Sequence, residues 1–272
     1  MKKNKVLALT ECGVMVALAT VLSLIQLASL PAGGSITLAS MLPIVVVAYR
    51  HGPIWGVGSA LVASLMQMLL GLSAFSYVTT WQSVLAVALL DYVFAFAVYG
   101  LAGIYRKSLK KQNLAFIAGA LTAGVLRYVC HVISGATVWA GLSIPDSAAL
   151  LYSLSYNATY MIPDTLILAL VSGYVASVID FRRQTPTRAI SEKLSPLDAT
   201  LLSLGGVSLL FAFIFDSVAV FTKLQSESGE FDVTLLSEVN WLVVALVTFA
   251  SALVSASLFF AVRFRGGKSG GK

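Results

Sequence analysis

Apolar residues along the chain fall into eight stretches separated by short polar breaks. They run roughly over 6–29, 38–49, 53–72, 82–105, 113–139, 149–180, 199–222 and 241–262. A complete membrane crossing needs about 20 predominantly apolar residues. The second stretch is short and contains Pro43, so it predicts a tilted, broken or partly inserted helix. The pattern predicts an all-α polytopic membrane protein. Composition agrees: 58% of the 272 residues are hydrophobic and 11% charged, where a soluble chain carries about 25% charged residues. Mean hydropathy is +0.89.

The polar breaks alternate in charge. Lys2, Lys3 and Lys5 precede the first stretch, and Arg50 follows the second. Arg106, Lys107, Lys110 and Lys111 follow the fourth, and Arg182, Arg183, Arg188 and Lys193 the sixth. Arg263, Arg265, Lys268 and Lys272 end the chain. The intervening loops are nearly free of Lys and Arg, and the last carries Glu227, Glu230, Asp232 and Glu238 against Lys223 alone. Basic loops stay on the cytoplasmic side, so eight spans with both termini cytoplasmic satisfy every loop. The net charge of +6 is then a topology signal, and no nucleic-acid partner is implied. The basic start and long first helix, with no small-residue cleavage site, read as a first span and not as a removed signal peptide.

Three regions follow. Residues 1–181 hold six spans with short loops. Residues 182–198 form a polar cytoplasmic linker with two prolines and mixed charge. Residues 199–272 hold two plain helices and a basic tail, with Asp216 the one candidate buried acid. Cys12 and Cys130 both fall within spans, so no disulfide framework or metal-ligand spacing is present. There is no Walker A motif, no HExxH and no GxSxG. The chain itself carries no ATPase, and no cofactor or enzymatic chemistry is implied. No clear internal repeat of the inverted-repeat transporter type is visible.

Ionisable side chains inside a membrane are costly and mark function. In RYVCHVISGATVW, residues Arg127, His131, Gly135 and Trp139 follow one another at i, i+4. On a helix they lie along one side, drifting about 40° per step. Asp91 sits mid-span in the fourth stretch. It is either the structural partner of Arg127 or the counter-charge for a cationic ligand. Asp164 follows Pro163, and its first reading is structural, satisfying carbonyls freed by the proline. In LLYSLSYNATYMIPD, Tyr152, Tyr156 and Tyr160 repeat at i+4; such a stripe is more often packing than ligand contact. Asn157 is an amide within a span and needs a partner. Trp81, Trp139 and Trp241 also suit interfacial anchors. Together a carboxylate, an Arg, a His, an Asn and several aromatics suit a small, flat, polar aromatic ligand, especially a cation. On the first helix, Gly13, Ala17 and Val21 at i+4 spacing allow another helix to approach closely.

RYVCHVISGATVW, Pro145 and LYSLSYNATYMIPD together resemble the thiamine-specific substrate-binding subunits (S-components) of energy-coupling factor transporters, the ThiT or YuaJ-like family. LLDYVFAFAVYGLAGIY is similar to that family's fourth helix, and GGSITLASMLPI to its first outer loop and second helix. The resemblance covers about residues 5–181. It implies a six-helix bundle in a prokaryotic cell membrane that captures thiamine from outside as a transported ligand. The two C-terminal helices are additional to the family pattern. It further implies partners: a transmembrane coupling subunit and two ATPase subunits that drive release. Carried over residue by residue, Asp91 is the acidic ligand position and Tyr92 its aromatic neighbour. His131, Gly135 and Trp139 are the fifth-helix contacts, with Trp139 stacking on a ring. Tyr152 and Asn157 are the sixth-helix contacts. Arg127 joins the site beside them, and Trp81 stands where the family tends to place a tyrosine. The loop PAGGSI is a lid, and Gly13, Ala17 and Val21 match the A-x-x-x-A face that docks on the coupling subunit, Val21 being bulkier than the pattern. Rival readings are an S-component for a thiamine precursor or another vitamin, a stand-alone ion-coupled transporter using Asp91, His131 and Asp164, and a membrane enzyme.

Overall fold

A computed structural model describes residues 5–30, 34–139, 149–189, 195–224 and 233–269. The chain divides into two compact units, Met1–Ser191 and Glu192–Lys272. Among the described residues seven helices are long and apolar enough to cross a membrane, and one apolar helix is shorter.

The first unit opens with α1 (Lys5–Ser23). The sequence pattern carried this helix to residue 29; instead Gln26–Ser29 (β1) and Ser35–Thr37 (β2) pair as an antiparallel hairpin. Gly34 explains part of the departure. Its φ of +90° suits glycine, and a Cβ there would meet the Tyr160 ring at 2.7 Å. Non-helical backbone at membrane depth is tolerated where protein covers it, and β2 is largely buried. Pro31, Ala32 and Gly33 of the expected lid lie outside the described residues, as do 190–194 of the expected linker.

The second stretch forms a short helix, in line with its length and Pro43. α2 (Leu42–His51) has 10 residues, about 15 Å of helix, half the hydrocarbon thickness of about 30 Å. The hairpin precedes it where a helix would otherwise continue. Then come α3 (Pro53–Leu70), a 3₁₀ turn (Leu72–Tyr77), α4 (Trp81–Arg106), α5 (Gln112–Thr137) and α6 (Ala149–Val178). α4 is not uniform: Ala88–Phe94 is π-helical and Val98–Arg106 is 3₁₀.

Small residues set the close crossings. A Cβ on Gly100 would overlap the backbone of Val57, one on Gly103 the Ala48 carbonyl, and one on Gly119 the Ala102 carbonyl. Helices lacking a hydrophobic force between them gain most from such intimate packing. At the basic end, buried Arg50 holds Glu11 at 2.6 Å and donates to the carbonyls of Phe181, Arg183 and Gln184 at 3.0–3.2 Å. That one guanidinium ties α1 and α2 to the chain beyond α6.

The second unit is a helix pair, α7 (Pro196–Leu224) and α8 (Trp241–Ser269). Gly205 lets Ser255 approach: a Cβ at this position would stand 3.3 Å from the Ser255 hydroxyl oxygen. Asp216, the candidate buried acid, accepts from the Thr248 hydroxyl. Leu242, Leu246, Phe249 and Phe260 present an exposed apolar face, as lipid contact requires.

The crossings predict that Gly103→Val lowers the melting temperature of the detergent-solubilised protein. Overpacking costs about 1–3 kcal/mol, and here the obstacle is backbone, which has little room to yield. Gly13→Val, at a site with nothing within 4 Å, should leave that temperature unchanged.

Candidate functional site

A cavity of about 360 Å³ lies between the hairpin and helices α3 to α6. Each wall follows from a local periodicity. Along α5 and the turn that ends it the i, i+4 ladder holds: Arg127, His131, Gly135 and Trp139 all line the cavity. On α6, Tyr152, Tyr156, Asn157 and Tyr160 do so. On α4 the lining residues include Asp91, Tyr92 and Phe96. A regular α-helix would set Phe96 about 140° around from Asp91. The wider i→i+5 turn of Ala88–Phe94 absorbs the extra residue and brings both to one face; π turns of this kind occur often at functional sites.

A continuous polar chain runs through the site. Thr37 of β2 donates to Asp164 Oδ1 from its backbone N–H and its hydroxyl, both at 2.8 Å. Arg127 Nη1 donates to Asp164 Oδ2 at 3.3 Å. Arg127 Nε donates to His131 Nε2 at 3.3 Å, and His131 Nδ1 stands 2.9 Å from Asp91 Oδ1. The Ser134 hydroxyl (2.6 Å) and the Trp139 indole N–H (3.0 Å) donate to Asp91 Oδ2. Because His131 Nε2 accepts from a guanidinium, its proton sits on Nδ1 and points at Asp91. The imidazole is then neutral. Two carboxylates thus stand beside the cavity with one guanidinium and the histidine between them.

Of the two readings of Asp91, pairing with Arg127 is not what the structure shows: His131, one turn along the ladder, stands between them. Asp164 does not serve carbonyls freed by Pro163: an ionised carboxylate has no proton to donate, and this one accepts three bonds from Thr37 and Arg127. The guanidinium also lies over the Phe96 ring, 4.5 Å from its centroid.

Aromatic rings close the walls. Tyr152 stacks on Tyr156 with centroids 6.1 Å apart, and Tyr156 meets Tyr160 edge-on at 5.9 Å. The stripe that first read as packing therefore also faces the cavity. The Tyr160 hydroxyl donates to Asn157 Oδ1 at 2.6 Å, and Asn157 Nδ2 donates to the Ser153 carbonyl at 2.9 Å. Tyr92 donates to the Gly71 carbonyl at 3.0 Å and stacks on Phe75. Trp139 contacts Tyr77 edge-on at 6.4 Å.

Trp81 is not brought to this site. It is the first residue of α4, behind the Thr80 N-cap, and 71% exposed, as suits an interfacial ring. Gly13, Ala17 and Val21 are on the outer side of α1, all three exposed. Sequence reasoning passed over Thr37, Gln67 and Phe96. Gln67 had a signal, being an amide in an otherwise apolar helix. Phe96 had none, since its placement depends on the π turn.

The buried ion pair yields a prediction. Arg127→Leu strands Asp164 without its cation, at a cost on the order of 3–5 kcal/mol. Thermal unfolding in detergent should show a large fall for the single variant and partial recovery in Arg127→Leu/Asp164→Leu. A loss in the double variant equal to the sum of the losses in Arg127→Leu and Asp164→Leu alone would mean that the two side chains are not coupled.

Comparison with known proteins adds an independent line. The thiamine transporter protein family (Thia_YuaJ) matches residues 9–180, well over half of the chain. The thiamine transporter ThiT of Bacillus subtilis (strain 168) is 32% identical over 181 residues, covering 62% of this chain and 90% of the relative. A solved structure of ThiT from Listeria monocytogenes is 24% identical with a TM-score of 0.49, covering 64% of this chain and 92% of that one. The family match ends before α7. With most of its first unit matched, the chain belongs to the thiamine transporter protein family and is a multi-pass membrane protein.

Proposed function

We propose that this chain captures thiamine in the cavity between the hairpin and α3–α6 and delivers it for uptake as an S-component. The observation that carries the reading is the Asp91 carboxylate, bonded to His131, Ser134 and Trp139 and to no Lys or Arg, inside an aromatic-walled cavity. Thiamine is a flat two-ring ligand with a permanent positive charge on its thiazolium. Aromatic faces attract cations, and a carboxylate in a partly dry pocket acts far more strongly than in water. Trp139, Tyr152 and Tyr156 supply ring surface, while His131 and Asn157 fix the orientation of polar groups. Phosphate esters of thiamine would bring negative charge against Asp91 and bind less well.

Uptake on this reading is driven from outside the chain. A coupling subunit docks on the Gly13, Ala17 and Val21 face of α1, and two ATPase subunits supply energy. The alternating basic loops support cytoplasmic termini, with the cavity mouth on the opposite side. The six-helix region to about residue 181 performs capture, with the 182–198 linker leading to two additional helices. Binding and handover need no covalent chemistry, so the chain acts without being an enzyme and without a cofactor of its own.

Asp91→Asn should weaken thiamine binding about tenfold to a hundredfold, the loss expected for one charge-assisted contact of about 1.5–3 kcal/mol. Isothermal titration checks it. Unchanged affinity would assign the carboxylate to holding His131 and Trp139 alone. Trp139→Ala should abolish most of the thiamine-induced change in tryptophan fluorescence. A surviving signal would place the ring away from the ligand.

A further inference from the structure

Gln67 lies in the last turn of α3, and its half-buried side chain lines the cavity. Its Nε2 is fully buried and has no hydrogen-bond partner among the described residues. The backbone beneath it is fixed. The Gly71 N–H donates to the Gln67 carbonyl at 2.9 Å, and Gly71 is so close to Tyr92 that a Cβ would overlap the phenol oxygen. Tyr92 in turn is next to Asp91 on the π turn. Gln67 is thus carried on a helix turn and not on a loop.

Several other polar groups of the cavity already bond one another. Asp91 accepts from His131, Ser134 and Trp139, Arg127 serves Asp164 and His131, and Asn157 serves Ser153 and Tyr160. A ligand held there by negative charge still carries acceptors of its own, and each must find a donor to avoid burial without a partner. We infer that Gln67 is a ligand-binding and specificity-determining residue, its side chain turning on binding so that the unpartnered Nε2 donates to an uncharged acceptor on the bound molecule. If the ligand is thiamine, on which this assignment rests, the candidate acceptors are the two pyrimidine ring nitrogens and the hydroxyethyl oxygen.

The test compares wild type and Gln67→Leu by titration with thiamine, two pyrimidine-deaza analogues and an analogue lacking the hydroxyl. Thermal unfolding of the ligand-free proteins is measured alongside. Thiamine should bind the variant about tenfold more weakly, as for loss of one hydrogen bond to a buried group. The difference between variant and wild type should vanish for one of the three analogues. The ligand-free melting temperature should hold or rise, because the substitution removes a buried donor without a partner. Equal thiamine affinity, a loss that persists through all three analogues, or a fall in ligand-free stability would each overturn the assignment. Should Gln67→Leu not fold, the nearly isosteric Gln67→Met carries the same expectations. Wild-type protein that fails to bind thiamine would overturn the underlying reading and this assignment with it. Tight wild-type binding with an unaffected variant would overturn the role of Gln67 alone.

Discussion

Burying charge is the constraint on which the site depends. Asp164, Arg127 and Asp91 lie within membrane-spanning helices, where an isolated ion is strongly disfavoured. Each is accommodated by a specific neighbour: Thr37 and Arg127 for Asp164, His131 for Arg127, and His131, Ser134 and Trp139 for Asp91. This chain of bonds fixes the hairpin to α6, α6 to α5, and α5 to the π turn of α4. It also leaves Asp91 without a Lys or Arg partner, the feature on which the proposed capture of a cation rests. On that proposal stability and selectivity are set by the same side chains.

Local geometry delivers those side chains. The regular α5 ladder presents Arg127, His131, Gly135 and Trp139 along one wall, while the π turn of α4 rotates Phe96 to the side of Asp91. Glycines at 100, 103 and 119 bring α4 close to α2, α3 and α5. A wider bundle would not hold rings and carboxylate within reach of one small molecule. The hairpin closes the remaining side without continuing α1 as helix, and Thr37 joins it to the buried carboxylate.

Hydrophobic runs made the long helices legible from sequence, because a lipid environment admits few alternatives to a helix. The α5 ladder was legible for the same reason: its period is that of a regular helix. What escaped depended on departures from regularity or on tertiary partners. The run through residue 29 was apolar enough for a helix, yet Gly34 and the Thr37–Asp164 contact select a hairpin. Charge alone left Asp91 as either the partner of Arg127 or a ligand counter-charge, and only the fold shows His131 between them and Asp164 bonded to the guanidinium. The tyrosine stripe has one period whether it packs or faces a cavity. Trp81 came from family resemblance and not from periodicity, and its position at a helix start turns it outward.

The most direct test of the account is calorimetric titration of the purified, ligand-free, detergent-solubilised protein with thiamine, with riboflavin and biotin as controls. A cavity with aromatic walls and an Asp91 carboxylate bonded to no Lys or Arg predicts tight binding of one thiamine per chain and no heat from either control. A well-folded sample that gives no heat with thiamine, or binds a control as tightly, would contradict the assignment of this cavity to thiamine.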